Sequence, residues 1–296
     1  MNIMRRVIKV WLVTSEHLED RLWFREEPDF VTGMNYVAVL ATEFGITVLA
    51  FILMSNHVHF LLVCTREEAL HFMSEFKRRY SGYLRQKYGT VNNLRRNKVD
   101  IREIPDDTES IAWAVAYIIN NSVAANICAH PSQFPWGTGD TYFNSKPLEG
   151  TPVSSLSKRK RFALLHSRVE IPGNWLINST GFIDPRSYVN LKAIEENVFR
   201  TPGRMNYYIA NSSKAKKRLA SSDANLPSFR DQSIIAALPD LCRSLFGKPT
   251  FGDLNESERI EFMRQVRYRF SSNVHQIARV TGLKYEEASR LLDCAR

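Results

Sequence analysis

His57 and His59 flank Val58 at the head of an apolar run that continues through Phe60, Leu61, Leu62 and Val63 to Cys64. Side chains alternate faces along a strand, so residues two apart point the same way. The two imidazoles therefore share a face, and two adjacent imidazoles are a good way to hold a divalent metal. A His-x-His pair can equally be structural, so a partner elsewhere in the chain has to decide. Tyr117 and Asn121 supply it. Four residues apart on a helix, they project together. A phenol is a nucleophile able to form a covalent phosphoester. An amide oxygen is a hard ligand that can complete a metal site begun by two imidazoles. Taken singly, Tyr117 reads as a half-buried helix aromatic and Asn121 as a helix-end residue. Their conjunction with the histidines points to chemistry.

The elements that must position these residues can be read from periodicity and breakers. Residues 7–13 form a first strand. Residues 29–44 form a helix ending before Gly45. Residues 46–54 and 58–64 are buried strands joined by a Ser55-Asn56 turn. Arg66–Tyr88 is a long amphipathic helix stopped by Gly89. Residues 91–107 are basic and turn-rich, with a short strand at Val99–Ile104. Residues 108–127 form a further helix, with Asp106, Asp107 and Glu109 suited to its positive N-terminus. This β-α-β-β-α-β-α order predicts an α+β, ferredoxin-like antiparallel sheet with helices on one face, followed by a mostly helical C-terminal region.

Three further sets of motifs carry a resemblance. Met54-Ser55-Asn56-His57-Val58-His59-Phe60-Leu61-Leu62 resembles the M-P-N-H-V-H-x-L-L signature of single-tyrosine HUH transposases, especially the REP-associated tyrosine transposases. Tyr117-Ile118-Ile119-Asn120-Asn121-Ser122-Val123-Ala124-Ala125 is similar to their Y-I-x-x-N-P-V-x-A, and Phe134-Pro135-Trp136 to their Y-P-W. The resemblance covers roughly the first half of the chain. It implies a metal-dependent single-strand DNA endonuclease and strand transferase acting on hairpin-forming DNA. By that analogy His57, His59 and Asn121 bind Mg²⁺ or Mn²⁺, and Tyr117 attacks the scissile phosphate to give a 5′-phosphotyrosine and a free 3′-OH. A replication-initiator or relaxase-like nickase shares this chemistry, and a domesticated DNA-binding regulator without catalysis shares the fold. Two departures stand out: Ser55 and Ser122 each replace a family proline.

Composition agrees with a nucleic-acid partner. The 296 residues carry Lys+Arg 40 against Asp+Glu 31, a formal net charge of +9, with 44% hydrophobic residues to build a core. Lys77, Arg78, Arg79 and Arg85 are read as a phosphate-contact face, and Arg95 and Arg96 as contacts in the basic stretch; a solvated helix face is the competing reading. Tyr80, Tyr83 and Tyr88 are rival nucleophiles, but Leu84 stands four residues after Tyr80, so Tyr80 and Tyr83 read as packing residues.

The four cysteines, Cys64, Cys128, Cys242 and Cys294, form no CxxC pair, which argues against a zinc ribbon or disulfide framework and fits a reducing cytoplasm, with nucleoid association following from a DNA partner. Lys9 interrupts the apolar start, against a signal peptide. Asn56 and the histidines exclude a membrane span over residues 46–64.

Domain boundaries are read as 1–145 for the nuclease, 146–230 for a linker and small mixed module carrying Trp175, Phe182 and Tyr188, and 231–296 for a helical domain. Residues 146–161 and the Lys-rich and Ser-rich stretches at 214–218 and 221–227 read as connectors. In the last segment helix, Gly282 turn and helix resemble a helix-turn-helix, with Lys284, Tyr285, Ser289 and Arg290 facing DNA. Monomer and homodimer remain open.

Overall fold

The computed structural model describes residues 7–15, 23–89, 94, 98–125, 127–212, 231–270, 272 and 274–293. Its first half runs β1 (Lys9–Ser15), α1 (Glu27–Phe44), β2 (Thr47–Met54), β3 (His57–Cys64), α2 (Arg66–Tyr88) and β4 (Val99–Ile104). The four strands form one antiparallel sheet in the order β2-β3-β1-β4. The β-α-β-β-α-β chain order with the first strand central is the ferredoxin-like arrangement predicted from the sequence. α1 ends where Gly45 adopts φ 60°, and its N–H caps the carbonyls of Ala41 and Thr42. α2 opens on a capping box between Thr65 and Glu68.

Alternation along β3 decides what each face of the sheet meets. Phe60 packs against Phe72 and Phe76 of α2, with ring centroids 5.2 Å away in both cases. His59, one residue earlier, points the other way. It meets Tyr117 of α3 (Thr108–Ile119). α1 lies beside α2, joined by the Arg79–Glu43 and Lys87–Asp29 ion pairs. Thus α1 and α2 share one face as expected, whereas α3, expected on that same face, covers the opposite one.

The helix read over residues 108–127 is shorter and broken. α3 stops at Asn120, and α4 spans Asn121–Ala124. Polar side chains cause the break. Asn120 Nδ2 donates to Ile209 O at 2.8 Å and Ser212 Oγ at 2.7 Å. Asn121 Nδ2 donates to the carbonyls of Tyr117 and Ile118 at 3.0 and 2.9 Å, taking acceptors the next helical turn would use.

Beyond α4 the chain forms a small hairpin of β5 (Thr151–Pro152) and β6 (Leu176–Ile177), with α5 (Lys158–Leu165) between them, and later α6 (Pro202–Asn211). Residues 146–161 are therefore not a loose connector. Val153, Leu165, Ile171, Ile177 and Ile183 are buried against Ala38 and Val39 of α1. Met205, Tyr208 and Ile209 of α6 join the main core. The stretches at 214–218 and 221–227 lie outside the described residues.

Among the described residues, four helices follow: α7 (Asp231–Phe246), α8 (Glu256–Phe270), α9 (Val274–Thr281) and α10 (Tyr285–Asp293). The segment is not helical throughout, since residues 247–255 form a turn and a single 3₁₀ turn at Phe251–Asp253. The four helices close over their own core, including Ile234, Leu241, Phe262, Val266, Ile277 and Leu291. Among the described residues, no helix is long and apolar enough to cross a membrane.

Candidate active site

The site lies on the sheet face covered by α3. The register places Ile52, His59, Thr14 and Asp100 side by side across β2, β3, β1 and β4. His57 sits one row away, opposite Met54. The two imidazoles are 4.9 Å apart between centroids and almost perpendicular, at 88°. The His59 ring then meets the Tyr117 ring edge-on at 5.7 Å and 89°. The structure thus brings together three of the four residues read as catalytic or metal-binding. The fourth, Asn121, follows Tyr117 by one helical turn and is buried.

Hydrogen bonds fix the rings. His57 Nδ1 lies 2.7 Å from Asn56 Oδ1. An amide oxygen only accepts, so this nitrogen carries the proton and Nε2 keeps its lone pair. His59 Nδ1 lies 2.8 Å from Thr14 Oγ1. That bond holds the orientation of the second ring. Sequence reasoning placed Asn56 only in a turn and missed Thr14. The missing signal was the pairing of β1 with β3, which spacing along one strand does not reveal.

Two other residues escaped the sequence reading. Asp100 and Arg102 alternate with Val99 and Ile101 along β4, so both project toward α3. Their charges reach Tyr117. Burial pushes the Tyr117 hydroxyl above its ordinary pKa of 10.0, Arg102 pulls it down, and Asp100 pushes it up. The phenol is therefore neutral at pH 7, and a cation is the group that can draw its proton away.

The donor set suits a divalent ion of mixed nitrogen and oxygen preference. His57 and His59 offer imidazole nitrogens, and the Asn121 amide nitrogen is spent on its own helix, so its Oδ1 is the atom with which it could ligate. Among the described residues, no cluster of three or more His, Cys, Asp or Glu side chains is placed to hold a metal. A metal centre here would consist of two imidazoles and an amide, and such a set leaves positions open for substrate oxygens.

Both departures from the proline pattern have local explanations. Ser55 Oγ donates to the carbonyl of Arg269 at the end of α8, a bond proline cannot make. Ser122 accepts from Cys128 Sγ at 3.3 Å and donates to Ile119 O at 3.3 Å. Neither serine displaces a site residue.

The phosphate-contact face on α2 needs correction. Lys77 is buried, at 4% exposure. Arg78 is held by Glu75, and Arg79 by Glu43 and Glu75. Arg85 is exposed. All four stand on a helix covering the sheet face opposite Tyr117. Arg95 and Arg96 lie outside the described residues. The rival tyrosines are structural: Tyr80 is fully buried and donates to Trp23 O, while Tyr83 and Tyr88 donate to Asp29. In the C-terminal unit, Gly282 at φ 74° makes the turn between α9 and α10. Lys284 and Arg290 are exposed, Tyr285 stacks on His275, Ser289 is half-buried, and Arg290 lies 3.7 Å from Glu256.

Comparison with known proteins agrees with the motif reading over part of the chain. Residues 26–99 match the family model described as "Transposase IS200 like". A solved structure of a REP-associated tyrosine transposase bound to a REP hairpin is similar at 16% identity and a TM-score of 0.36, over 47% of this chain and 82% of that one. No curated protein matches the chain. The family match spans α1, the β2–β3 hairpin with both histidines, and α2, and it stops before Tyr117. Residues 26–99 therefore carry the sequence pattern of the IS200-like transposases.

Proposed function

We propose that this chain is a metal-dependent single-strand DNA endonuclease and strand transferase whose nucleophile is Tyr117. The observation that carries the reading is the packing of Tyr117 against His59, with His57 beside it. A core has little use for two adjacent imidazoles with polar partners on their Nδ1 side, and a phosphodiester reaction has good use for them.

In this reading Tyr117 Oη attacks the phosphorus of a scissile phosphodiester. The Tyr117 O–P bond forms, the P–O3′ bond breaks, and the phenol proton is lost as the 3′-oxygen gains one. The product is a 5′-phosphotyrosine and a free 3′-OH. One diester replaces another, so a second 3′-OH can attack the phosphotyrosine and rejoin the strands. His57, His59 and Asn121 Oδ1 would hold Mg²⁺ or Mn²⁺, which when bound neutralises phosphate oxygens and stabilises transition-state charge. Asn56 and Thr14 hold the two rings in place. Arg102 favours the phenolate.

A hairpin-forming single strand is the proposed substrate, as the motif resemblance implies. The α9–α10 pair is the proposed duplex-docking element, through exposed Lys284 and Tyr285. A cytoplasmic, nucleoid-associated location belongs to the same reading. The test is nicking of single-stranded hairpin oligonucleotides by wild type and by Tyr117→Phe. Cleavage by the first alone supports the reading, and equal cleavage contradicts it. Rejoining to a second labelled 3′ end separates strand transfer from simple nicking.

A further inference from the structure

The direction of Asn121 relative to Tyr117 depends on how the chain runs between them, and α3 ends between them. Nothing local makes it end there. Ile118, Ile119, Val123, Ala124 and Ala125 continue an apolar helical pattern. A proline at 122 would stop the helix, by removing an N–H and crowding the carbonyl of Ile118. The transposase pattern has that proline, and this chain has Ser122. α4 is four residues long, too short to hold itself. The break is therefore imposed from outside.

Asn120 is where it is imposed. Its side chain is fully buried, and Nδ2 donates to Ile209 O at 2.8 Å and Ser212 Oγ at 2.7 Å. Both acceptors stand at the C-terminal end of α6. The last carbonyls of a helix lack intrahelical partners and carry partial negative charge, so they attract an amide N–H. α6 is itself fixed on α3, because the Tyr208 ring meets Trp113 at 4.6 Å and Phe199 at 5.8 Å between centroids. It thus grips α3 twice, at Trp113 and at the residue where α3 ends.

Stability explains this grip poorly. Asn120 Oδ1 is buried with no hydrogen-bond partner among the described residues, a penalty that offsets the two bonds. Ile209 O has other donors, Ser212 Oγ at 3.1 Å and Ser212 N at 3.4 Å. Alanine at 120 would leave that carbonyl satisfied, and alanine is the best helix former. What alanine lacks is the means to stop α3.

We infer that Asn120 is a positioning residue for the Tyr117–Asn121 pair, and that the end of α6 is thereby a working part of the active site. The Asn120 amide ties the α3–α4 break to Ile209 and Ser212, so that Asn121 Oδ1 and the Tyr117 hydroxyl are aimed together. Asn120 touches neither metal nor substrate, since its amide nitrogen is turned to α6. Ser122 is tolerated in place of proline because Asn120 makes the break. The inference rests on the proposed roles of Tyr117 and Asn121.

The test compares the full chain with Asn120→Ala, Ser212→Ala and the double variant Asn120→Ala, Ser122→Pro. Mn²⁺ affinity is read by calorimetric titration without DNA. Adduct formation is timed on a labelled single-stranded hairpin at saturating Mn²⁺, and folding is followed by melting temperature. Asn120→Ala should weaken Mn²⁺ binding about tenfold, the lower end of what residues that orient metal ligands contribute. It should also slow adduct formation about tenfold at saturating metal, by misplacing the nucleophile, with the melting temperature little changed. Ser212→Ala removes one of the two bonds and leaves residues 117–124 unaltered, so it should move both readouts the same way by about threefold. The double variant should recover most of the loss, because proline at 122 restores the break.

Wild-type affinity and rate in Asn120→Ala would overturn the inference. So would a folded double variant that recovers neither, since the break would then not be what Asn120 supplies. A loss that follows the melting temperature and vanishes on cooling would make Asn120 a stability residue, and overturns it too. If Asn120→Ala does not fold, Ser212→Ala decides, and wild-type behaviour there overturns the inference. Wild-type adduct with unaffected variants defeats this inference alone. Absence of adduct from the wild type defeats the nuclease reading and this inference with it.

Discussion

His59 and Tyr117 meet edge-on, 5.7 Å between ring centroids and 89° between planes. One ring belongs to a central strand and the other to the helix that crosses the sheet behind it. The contact joins the metal-type half of the site to the nucleophile half, and it makes Tyr117 half-buried rather than solvated. Thr14 holds the His59 ring from β1, and the charges of Asp100 and Arg102 act on the Tyr117 proton from β4.

Thr14 is predicted to be a positioning residue for His59. Its hydroxyl holds Nδ1 at 2.8 Å. Residues that orient metal-binding histidines typically change metal affinity by about 10–100-fold. Thr14→Val should therefore weaken Mn²⁺ binding by that factor in calorimetric titration, with the melting temperature of the metal-free protein little changed. Mn²⁺ affinity equal to wild type would remove Thr14 from this role.

The phenol should respond to its two β4 neighbours in opposite directions. Tyr117 titrates above 10.0 because burial outweighs the pull of Arg102. The rate of covalent adduct formation should rise with pH from 7 toward 10 without levelling. Arg102→Gln should lower the rate at pH 8 and Asp100→Asn should raise it. Both charges are largely exposed, so each effect stays under about tenfold by solvent screening. A rate plateau near pH 8, unmoved by either substitution, would mean that another group takes the proton.

Asp29 is the polar anchor of the α1–α2 pair. Fully buried, it accepts from Tyr83, Tyr88 and Lys87 and from the backbone N–H of Arg25 and Glu26. Removing one partner of a buried charge pair costs about 3–5 kcal/mol. Asp29→Ala should lose that much in urea denaturation. The same cluster predicts alkaline sensitivity. Burial, chiefly, pushes Tyr83 up to about 12, and the Asp29 charge adds to it. A tyrosine with a raised folded pKa stabilises fully below its unfolded value near 10, and that contribution is lost as pH climbs from about 10 to 12. Stability unchanged between pH 9 and 12 would contradict this.

Much of this architecture is legible in the amino-acid sequence. The bounds of α2 and β4 follow from local breakers and alternation, and the His57–Val58–His59 spacing fixes a shared face whatever the partner strands are. What escapes depends on contacts distant in sequence. Thr14 becomes a neighbour of His59 only through the β1–β3 register, and Asp100 reaches the same row only through β1–β4. Lys77 looks like a surface cation in a basic run, yet it falls on the buried side of α2. The break after Ile119 is invisible to periodicity because Asn120 is turned by acceptors in α6 and just beyond it, some ninety residues later. Residues 146–161 have the composition of a connector, but the burial of Val153 against α1 makes them part of the fold.

The most direct test is covalent capture. The full chain is incubated with labelled single-stranded hairpin oligonucleotides and Mn²⁺ and resolved on a denaturing gel. The prediction is a protein–DNA band whose label maps to a peptide containing Tyr117, absent in Tyr117→Phe and strongly reduced in His57→Ala. An adduct that persists in Tyr117→Phe, or that maps to another tyrosine, would contradict the assignment of the nucleophile.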